Sequence, residues 1–328
     1  MSSSHRILAF VMDPLDAIDV DADTTFALML EAQRRNHEVL YVAPSDLVAS
    51  NHGPSAHARP VELRRQHGRH FDLGEVRTVS LDDEVDLVFQ RVDPPVDAEY
   101  VIATQILALC RRAVVLNRPE GILAANEKLY TLQFAELMAE TLVSRRIPEL
   151  LGFMDELGGE MIVKPLDGKG GEGIFHLRRD DRNLNSILEQ STGFESRWVM
   201  AQRYLPEVRE GDKRILLLEG EPIGAVLRVP REQETRSNLH VGGRPQRTSL
   251  DEDDRRIIEA LAPSLRRDGL FFVGIDVIGG RLTEVNVTSP TGVREINALE
   301  GTRLEARILD GAERLLDEKR AESRNFLS

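Results

Sequence analysis

Two hydrophobic patterns alternate along the N-terminal third of the chain. Short apolar runs predict strands at 7–12, 38–44 and 85–91. Between the first two runs lies TTFALMLEAQRRN, whose apolar spacing predicts an amphipathic helix with Asp23 as its N-cap. Strands that alternate with helices indicate a parallel sheet covered on both faces, so we predict a doubly wound α/β domain here. Ligands of such domains bind beyond the carboxyl ends of the strands.

The pattern changes after residue 145. Shorter strands separated by glycine turns follow and predict an α+β part, with strands at 160–167, 173–179, 197–206, 213–220 and 221–230. A polar stretch from Arg231 to Asp254 has no convincing period, and a connection of that length is typical of a lid or a disordered loop. The run from 301 to 322 predicts a helix with an apolar stripe at Leu304, Ile308, Leu315 and Leu316.

The segment 272–290, FVGIDVIGGRLTEVNVTSP, predicts two strands joined near a Gly-Gly turn. If the two glycines alone formed the loop, charged and apolar side chains would mix on each face of the hairpin. A three-residue loop through Arg281 separates them and sets Asp276 opposite Glu284, with Asn286 two residues along on the same face. Because a one-residue slip exchanges the faces, the apolar pattern favours this second register.

Two carboxylates and an amide oxygen on one rigid hairpin are ligands that Mg²⁺ accepts while it keeps positions open for phosphates. We therefore interpret Asp276, Glu284 and Asn286 as a candidate magnesium site. The alternative is a half-exposed hairpin whose acids are only solvated.

A glycine-rich loop follows the strand that ends near residue 165. The sequence DGKGGEG places Gly168, Gly170 and Gly173 in a G-x-G-x-x-G pattern, in which backbone amides could approach phosphate oxygens closely. A dinucleotide fingerprint requires a helix that begins within the glycines, whereas the residues that follow alternate like a strand. Lys169 lies among the glycines, which excludes a Walker A loop. The pattern favours a flap that covers a nucleotide.

Several basic residues suggest an anionic ligand. Lys164 ends an apolar strand, and a lysine that emerges from a buried strand indicates an anionic partner, whereas Lys128 alone is typical of a solvated helix. The segment VMAQRYLP, 199–206, is interpreted as a connector whose backbone could contact an adenine edge, or as a plain strand end. Four arginines would suit a substrate with anions at both ends if they converge on one cleft, and are otherwise surface residues: Arg214, Arg228, Arg236 and Arg244.

Composition restricts the function classes. A chain of 328 residues with 41% hydrophobic and 30% charged residues is typical of a soluble globular protein with two or three domains. The formal charge of -13 argues against nucleic acid as a partner. The N-terminal apolar run is too short for a signal peptide or a membrane span, and Cys110 is the only cysteine, so we expect a cytoplasmic location and no membrane partner. Cys110 is predicted to pack as a small apolar residue on a helix.

Seven motifs occur in one order between residues 7 and 315: DPP, NEKL, VKPLDGKGG, MAQRYLP, GDKR, ETRSNL with a following GG, and VGIDVIGGRLTEVNVTSPTGVREI. In order and spacing they resemble the bacterial, prokaryotic-type glutathione synthetases of the ATP-grasp superfamily. The resemblance implies a pre-ATP-grasp N-terminal domain at 1–122, a central ATP-grasp lid domain at 123–203 and a C-terminal catalytic domain at 204–328. It also implies a ligase that joins γ-glutamylcysteine to glycine with ATP and Mg²⁺, or Mn²⁺, commonly as a homotetramer.

The resemblance also implies a role for each matching residue. Those that would bind ATP are Lys128, Lys164, Asp167, Gly168, Gly170, Gly171, Gln202, Tyr204 and Leu205. Those that would hold the metal are Asp276, Glu284 and Asn286, and those with catalytic roles are Arg214, Arg228 and Arg236. Those that would contact the other substrates are Arg91, Asp93, Asn238 and Arg244.

The predicted lid departs from the family pattern. Where the family has PQGGETRGN, this chain has PREQETRSN, so that Glu232, Gln233 and Ser237 replace three glycines. Fewer glycines make the backbone less permissive, and the acceptor amine is therefore less determined than the nucleotide site.

The implied chemistry begins with phosphoryl transfer from ATP to a carboxylate, after which an amine displaces phosphate from the acyl phosphate. One alternative is an ATP-grasp ligase with a different acceptor amine. Another is a regulatory nucleotide-binding protein on the same scaffold without turnover, against which the intact Lys164, Asp276, Glu284 and Asn286 argue. An NAD oxidoreductase that uses the glycine motif is a third, and it predicts nicotinamide binding without a magnesium requirement.

Overall fold

The computed structural model of the chain describes residues 5–168, 170–231 and 243–326. Within these residues the strands form three sheets that follow one another along the chain. The helices are α1 Thr24–Arg34, α2 Ala98–Leu107, α3 Pro119–Ala124, α4 Ile147–Glu156, α5 Leu184–Thr192, α6 Glu252–Asp268, α7 Val293–Glu300 and α8 Leu304–Phe326. Short 3-10 helices lie at Leu15–Ala17, Pro44–Asp46, Leu129–Leu137 and Pro206–Arg209.

The first sheet contains the predicted parallel strands. Its members are β1 Ile7–Met12, β2 Glu38–Val42, β3 Leu47–Ser50, β4 Gly53–Leu63, β5 Phe71–Leu73, β6 Arg77–Ser80, β7 Leu87–Arg91 and β8 Val114–Leu116. The order β2-β1-β7-β8 is parallel throughout, and one face packs on α1 and α8 while the other packs on α2. The predicted α1 is confirmed, and the Asp23 carboxylate accepts from the backbone N–H of Phe26 at 2.6 Å.

The antiparallel half of this sheet was not predicted from the sequence. β4 pairs with β2, β3, β5 and β6, all antiparallel. Several of the buried positions of β4 are alanine or proline, so the apolar alternation that normally identifies a strand is weak there.

The second sheet carries the glycine loop. Its strands are β9 Thr141–Ser144, β10 Glu160–Pro165, β11 Phe175–Arg178 and β12 Val199–Gln202, in the order β11-β10-β12-β9 and all antiparallel. α4 and α5 cover one face of it. The predicted succession of strand, glycine loop and strand is confirmed, since β10 and β11 flank residues 166–174.

The third sheet is antiparallel, with β13 Asp212–Leu218, β14 Glu221–Val229, β15 Arg244–Arg247, β16 Phe272–Ile278 and β17 Arg281–Asn286 in the order β15-β14-β13-β16-β17. The prediction of an aperiodic stretch from Arg231 to Asp254 is wrong for its second half. β15 lies there, and α6 begins after Asp251, whose carboxylate forms a capping box with Asp254. The predicted lid falls on residues 232–242, which lie outside the described residues.

The hairpin of β16 and β17 has the predicted register but a different turn. Asp276 pairs with Glu284 and Gly274 with Asn286, which confirms that the oxygen-bearing side chains share one face. The predicted three-residue loop is wrong, because Arg281 already pairs with Ile278 and only the two glycines lie between the strands. A β-bulge at Thr283 absorbs the extra residue, and the Thr283 hydroxyl donates to the Asp276 carbonyl at 3.1 Å.

Two further expectations concern single elements. Leu304, Ile308 and Leu316 are buried on α8, as the apolar stripe predicts, and Leu315 packs partly buried against the same core. Cys110 does not lie on a helix, because α2 ends at Leu107, but the thiol packs against the core beneath the first sheet. Among the described helices, none is long and apolar enough to cross a membrane.

Candidate functional site

A pocket lies between the second and third sheets. Its lining combines apolar, charged and glycine residues from β10, β11, β12, the connector after β12, and the β16–β17 hairpin. The apolar members include Ile162, Ile174, Leu205, Val208 and Ile278, and the charged ones include Lys128, Lys164, Asp212, Asp276 and Glu284. A concave surface of this mixed kind can bind a molecule that has an apolar ring and an anionic tail.

Two lysines approach the hairpin from different directions. The ammonium group of Lys128 pairs with Glu284 at 2.9 Å and donates to the carbonyl of Gly168 at 2.8 Å. That of Lys164 donates to Gln202 at 3.3 Å and to the Thr283 carbonyl at 3.2 Å. Both lysines are buried, so Lys128 is not the solvated helix lysine that its sequence alone suggests. Buried ammonium groups in a pocket indicate an anionic ligand.

The pKa of Lys164 is lowered to about 8, chiefly by burial; the charge of Glu284 opposes the shift and the charge of Lys128 adds to it. A phosphate placed beside this ammonium would favour its charged form and raise the pKa again.

We therefore predict that ADP binding without metal takes up protons at pH 8. Because Lys164 is close to half protonated there, the uptake should approach about half a proton per ADP and should grow between pH 7 and pH 9. Calorimetry in buffers of different ionisation enthalpy measures this uptake. Lys164→Met should abolish it, and an equal uptake by that variant would contradict the assignment.

Two arginines and two aspartates form a buried network beneath the hairpin. Arg214 donates to Asp276 through Nε at 2.5 Å and Nη2 at 2.9 Å, and Arg228 contacts Asp276 at 3.1 Å as well as Asp212. Burial alone would raise the pKa of Asp276, but the two guanidinium groups hold it well below its usual range. Burial alone would lower the pKa of Arg228, but the two carboxylates raise it. Asp276 and Arg228 are therefore charged at neutral pH.

The proposed metal ligands present oxygen donors on one face. The side-chain amide of Asn286 donates to the Gly274 carbonyl at 3.1 Å and to Asp276 at 3.4 Å. In the described part of the chain, no group of three or more His, Cys, Asp or Glu side chains is placed to hold a metal ion. A site here would combine carboxylates with an amide oxygen and ligand oxygens. That donor set fits Mg²⁺, which is commonly bound by one or two carboxylates together with substrate phosphates.

The glycine loop covers the pocket closely. Gly168, Gly170 and Gly171 line it, and Gly170 and Gly171 have φ angles of 60° and 85°, in the left-handed region that favours glycine. A Cβ atom on Gly168 would lie 2.7 Å from the Cγ of Pro165. Asp167, which the resemblance assigns to ATP, is exposed and is not among the residues that line the pocket.

The opposite part of the lining contains two stacked rings. The rings of His176 and Tyr204 lie 4.0 Å apart at 17°, and His176 Nε2 is 2.7 Å from Glu160. Gln202, Tyr204 and Leu205 all line the pocket, as the resemblance implies for residues that border adenine. His176 was missed by the sequence reasoning. The alternation of GIFHLRR places it on the same strand face as Ile174, which is the signal that could have found it.

Arg91 and Asp93, which the resemblance assigns to the other substrates, lie outside the pocket lining. Arg91 is buried and donates to Thr25 at 3.0 Å and to the Pro290 carbonyl at 2.9 Å, and Asp93 accepts from Ser289. Arg214 donates to the next carbonyl, that of Thr291, at 3.3 Å. The structure thus brings Arg91 and Arg214 to adjacent carbonyls of one turn.

Among the remaining predicted residues, Arg244 is the one that the structure describes, and it does not line the pocket. Arg244 is exposed on β15, and Arg236 and Asn238 lie outside the described residues. The pocket therefore contains most of the predicted nucleotide residues, whereas the described members of the predicted substrate set, Arg91, Asp93 and Arg244, do not line it.

Comparison with known proteins supports one family along most of the chain. Residues 7–122 match the model of the prokaryotic glutathione synthetase N-terminal domain, and residues 127–301 match that of the prokaryotic glutathione synthetase ATP-grasp domain. The glutathione synthetase of Gloeobacter violaceus is 48% identical over 92% of this chain and 95% of the relative, and that of Yersinia pestis is 43% identical over 96% and 99%.

Solved structures of low identity share the fold. A D-cycloserine synthetase superposes with a TM-score of 0.65 at 17% identity, covering 95% of this chain and 99% of that one. The D-alanyl-alanine synthetase A of Vibrio cholerae gives a TM-score of 0.59 at 14% identity, covering 95% and 98%. The fold is that of the ATP-grasp ligases, and the chain belongs to the prokaryotic glutathione synthetase family.

Proposed function

We propose that this protein joins the cysteinyl carboxylate of γ-glutamylcysteine to the amine of glycine and converts ATP to ADP and phosphate. One observation carries the proposal. A chain that matches both family models holds two buried lysines against the acidic face of the β16–β17 hairpin, in a single pocket. An enzyme of this family is an ATP-grasp ligase that forms a C–N bond and uses ATP.

ATP would lie with its base among the apolar residues and its phosphates at the charged end of the pocket. Gln202, Tyr204 and Leu205 would border adenine, and the stacked His176 would support the Tyr204 ring. Lys128 and Lys164 would contact phosphate oxygens, and the backbone of the glycine loop would cover them. The acids of the hairpin compensate the charges of the lysines.

Magnesium, when bound, would be held by Asp276, Glu284 and Asn286 and would reduce the negative charge of the ATP phosphates. Mn²⁺ would suit the same oxygen donors. The register that sets Asp276 opposite Glu284 supports this assignment.

The reaction requires activation of a carboxylate, because oxide is too poor a leaving group for direct attack by an amine. A carboxylate oxygen attacks the γ-phosphorus, ADP leaves, and the amine then attacks the acyl carbon while phosphate leaves with the electron pair of the broken C–O bond. Arg214 and Arg228 would stabilise the migrating phosphoryl group and the oxyanion. Their buried ion pairs with Asp276 and Asp212 hold both guanidinium groups in fixed positions, so little reorganisation is needed.

The proposed location, oligomeric state and partners are those that the family resemblance and the composition imply. We propose a cytoplasmic enzyme that works as a homo-oligomer, a dimer or a tetramer, on small-molecule substrates without nucleic acid or membrane partners. The formal charge of -13 agrees with the absence of a nucleic-acid partner.

Coupled ADP release across a panel of γ-glutamyl dipeptides and amino-acid acceptors tests the proposal. We expect the highest kcat/KM with γ-glutamylcysteine and glycine and no sustained ADP release when either is omitted. A higher kcat/KM with another acceptor would support a ligase of different specificity. ADP binding without release under every combination would support a regulatory protein that has lost turnover.

A further inference from the structure

The end of β17 is held by two consecutive residues from outside the third sheet. The side chain of Lys128 pairs with Glu284 at 2.9 Å, and the Glu127 carbonyl accepts from the N–H of Val285 at 2.9 Å. One oxygen of the Glu127 carboxylate accepts from three donors, which are the N–H of Val287 at 2.8 Å, the N–H of Thr288 at 3.1 Å and the Thr288 hydroxyl at 2.9 Å. These contacts therefore involve residues 284, 285, 287 and 288, on both sides of Asn286, but not Asn286 itself.

Electrostatics does not explain why a carboxylate occupies this position. Burial raises the pKa of Glu127, and the charge of Glu284 raises it as well, against the hydrogen bonds from Thr288 and Val287 that lower it. A second carboxylate near the metal-binding face is unfavourable to the ligand-free fold. The compensating gain is a set of three hydrogen bonds that fix the backbone on the C-terminal side of Asn286.

We infer that Glu127 is a positioning residue that fixes Asn286 and Glu284 in the orientation required to bind a divalent cation beside the nucleotide phosphates. It acts through the backbone of Val287 and Thr288 and does not contact the substrates. This inference rests on the proposed function, since it assumes that the hairpin holds the cation of an ATP-dependent ligase.

The same dipeptide connects the hairpin to the phosphate loop. Lys128 reaches the Gly168 carbonyl at 2.8 Å while it pairs with Glu284, so one short segment contacts both the glycine loop and the metal-binding strand. A shift of this segment would move a phosphate ligand and a metal ligand together. In the NEKL motif, Glu127 thus has a role in addition to that of Lys128, the residue to which the resemblance assigns ATP binding.

A separate contact keeps the strand in place when Glu127 is changed. The side-chain amide of Asn117 donates to the carbonyls of Val287 and Phe272 at 2.7 and 2.8 Å and accepts from the Phe272 N–H at 2.7 Å. These bonds tie β16 to the end of β17 from the side of the first sheet. Loss of Glu127 should therefore free the N–H groups of Val287 and Thr288 without detaching the strand.

The test compares Glu127→Ala and Glu127→Gln with a matched control, Tyr130→Phe. Tyr130 is buried near the same segment, and its hydroxyl donates to Asp268 at 2.8 Å, outside the hairpin. Its variant loses that hydrogen bond but keeps the aromatic ring, which belongs to the same apolar cluster as Val285 and Val287. The first measurement is amide hydrogen exchange at Val287 and Thr288 in the protein without nucleotide or metal. We expect exchange about tenfold faster in Glu127→Ala and unchanged in the control.

The second measurement is the gain in ADP affinity that Mg²⁺ produces, determined by calorimetry with and without the metal. Glu127→Ala should reduce this gain about tenfold while ADP alone binds within about twofold of the unchanged protein. Glu127→Gln retains an acceptor oxygen but not the charge, so we expect a reduction of about threefold.

The inference is overturned if Mg²⁺ raises the ADP affinity of both Glu127 variants as much as that of the unchanged protein. If the alanine variant does not fold, the glutamine variant alone decides. An equal loss of affinity for ADP without metal also overturns it, because the residue would then act on Lys128. Glu284→Gln separates the two levels of the argument. If Mg²⁺ still raises the ADP affinity of Glu284→Gln in full, the proposed metal site itself is wrong. If Glu284→Gln loses this increase while both Glu127 variants keep it, only the positioning role is rejected.

Discussion

Replacement of Glu284 by glutamine should abolish ligation while the protein stays folded. The substitution removes the charge and one oxygen of a proposed metal ligand, which the hairpin register sets opposite Asp276. Loss of a residue that only supports a metal ligand typically costs about 10- to 100-fold, so loss of the ligand itself should cost at least about 100-fold in kcat at limiting Mg²⁺. Asn286→Ala should act in the same direction. Coupled ADP release over a range of Mg²⁺ concentrations measures both.

An exposed acid near the same hairpin provides the control. Glu207 packs against Gly279 in the β16–β17 turn but does not line the pocket, so Glu207→Gln changes the charge equally without removing a ligand. We expect that variant to keep wild-type turnover at every Mg²⁺ concentration. Normal turnover of Glu284→Gln and Asn286→Ala at limiting Mg²⁺ would reject the metal assignment, provided that circular dichroism shows all variants folded.

The hairpin shows how far a sequence pattern can predict a site. Apolar alternation in FVGIDVI and RLTEVNV was enough to place Asp276 opposite Glu284, because a slip would have buried charges and exposed valines. The same pattern did not determine the turn. A three-residue loop and a two-residue loop with a bulge at Thr283 give the same register, and the bulge depends on a hydrogen bond across the hairpin that no local pattern encodes.

Contacts between residues far apart in the sequence explain which features of the site could not be predicted. Lys128 looks like a solvated lysine in NEKLY and is buried because Glu127 and Lys128 lie beside β17, more than 150 positions along the chain. Arg91 matches a substrate-binding position, yet in this structure its guanidinium group contacts Thr25 and the Pro290 carbonyl. Such partners become visible only when the sheets are packed together, so the sequence predicts candidate residues better than it predicts their contacts.

The Lys164→Met variant should lose nucleotide affinity while its fold becomes more stable. Below pH 8 the lysine is charged in both the folded and the unfolded protein, and its folded pKa of about 8 against a reference of 10.5 means that burial of the charge costs stability. The free energy of unfolding should therefore rise as the pH increases from 8 to about 10.5. Removing the charge at pH 7 relieves a cost of up to about 3 kcal/mol, minus the two hydrogen bonds that are lost.

The affinity losses should depend on the phosphates of the ligand. A charge-assisted hydrogen bond contributes about 1.5–3 kcal/mol, so ADP and ATP should bind about 10- to 150-fold more weakly, whereas adenosine should bind within about twofold of its original affinity. Calorimetry with the three ligands measures this, and thermal unfolding without ligand measures the stability.

Lys213 is the matched control because its environment is the reverse of that of Lys164. It lies on β13, pairs with Asp251 at 2.8 Å and Asp254 at 2.5 Å, and these acids raise its pKa although burial opposes the shift. Lys213→Met should therefore destabilise the fold and leave nucleotide affinity unchanged. If Lys164 destabilises the fold without ligand, as we expect, the proposed contact with a nucleotide phosphate would explain why a lysine occupies this position. If Lys164→Met instead lowers stability and weakens ADP and adenosine equally, Lys164 is a structural residue and the phosphate assignment is wrong.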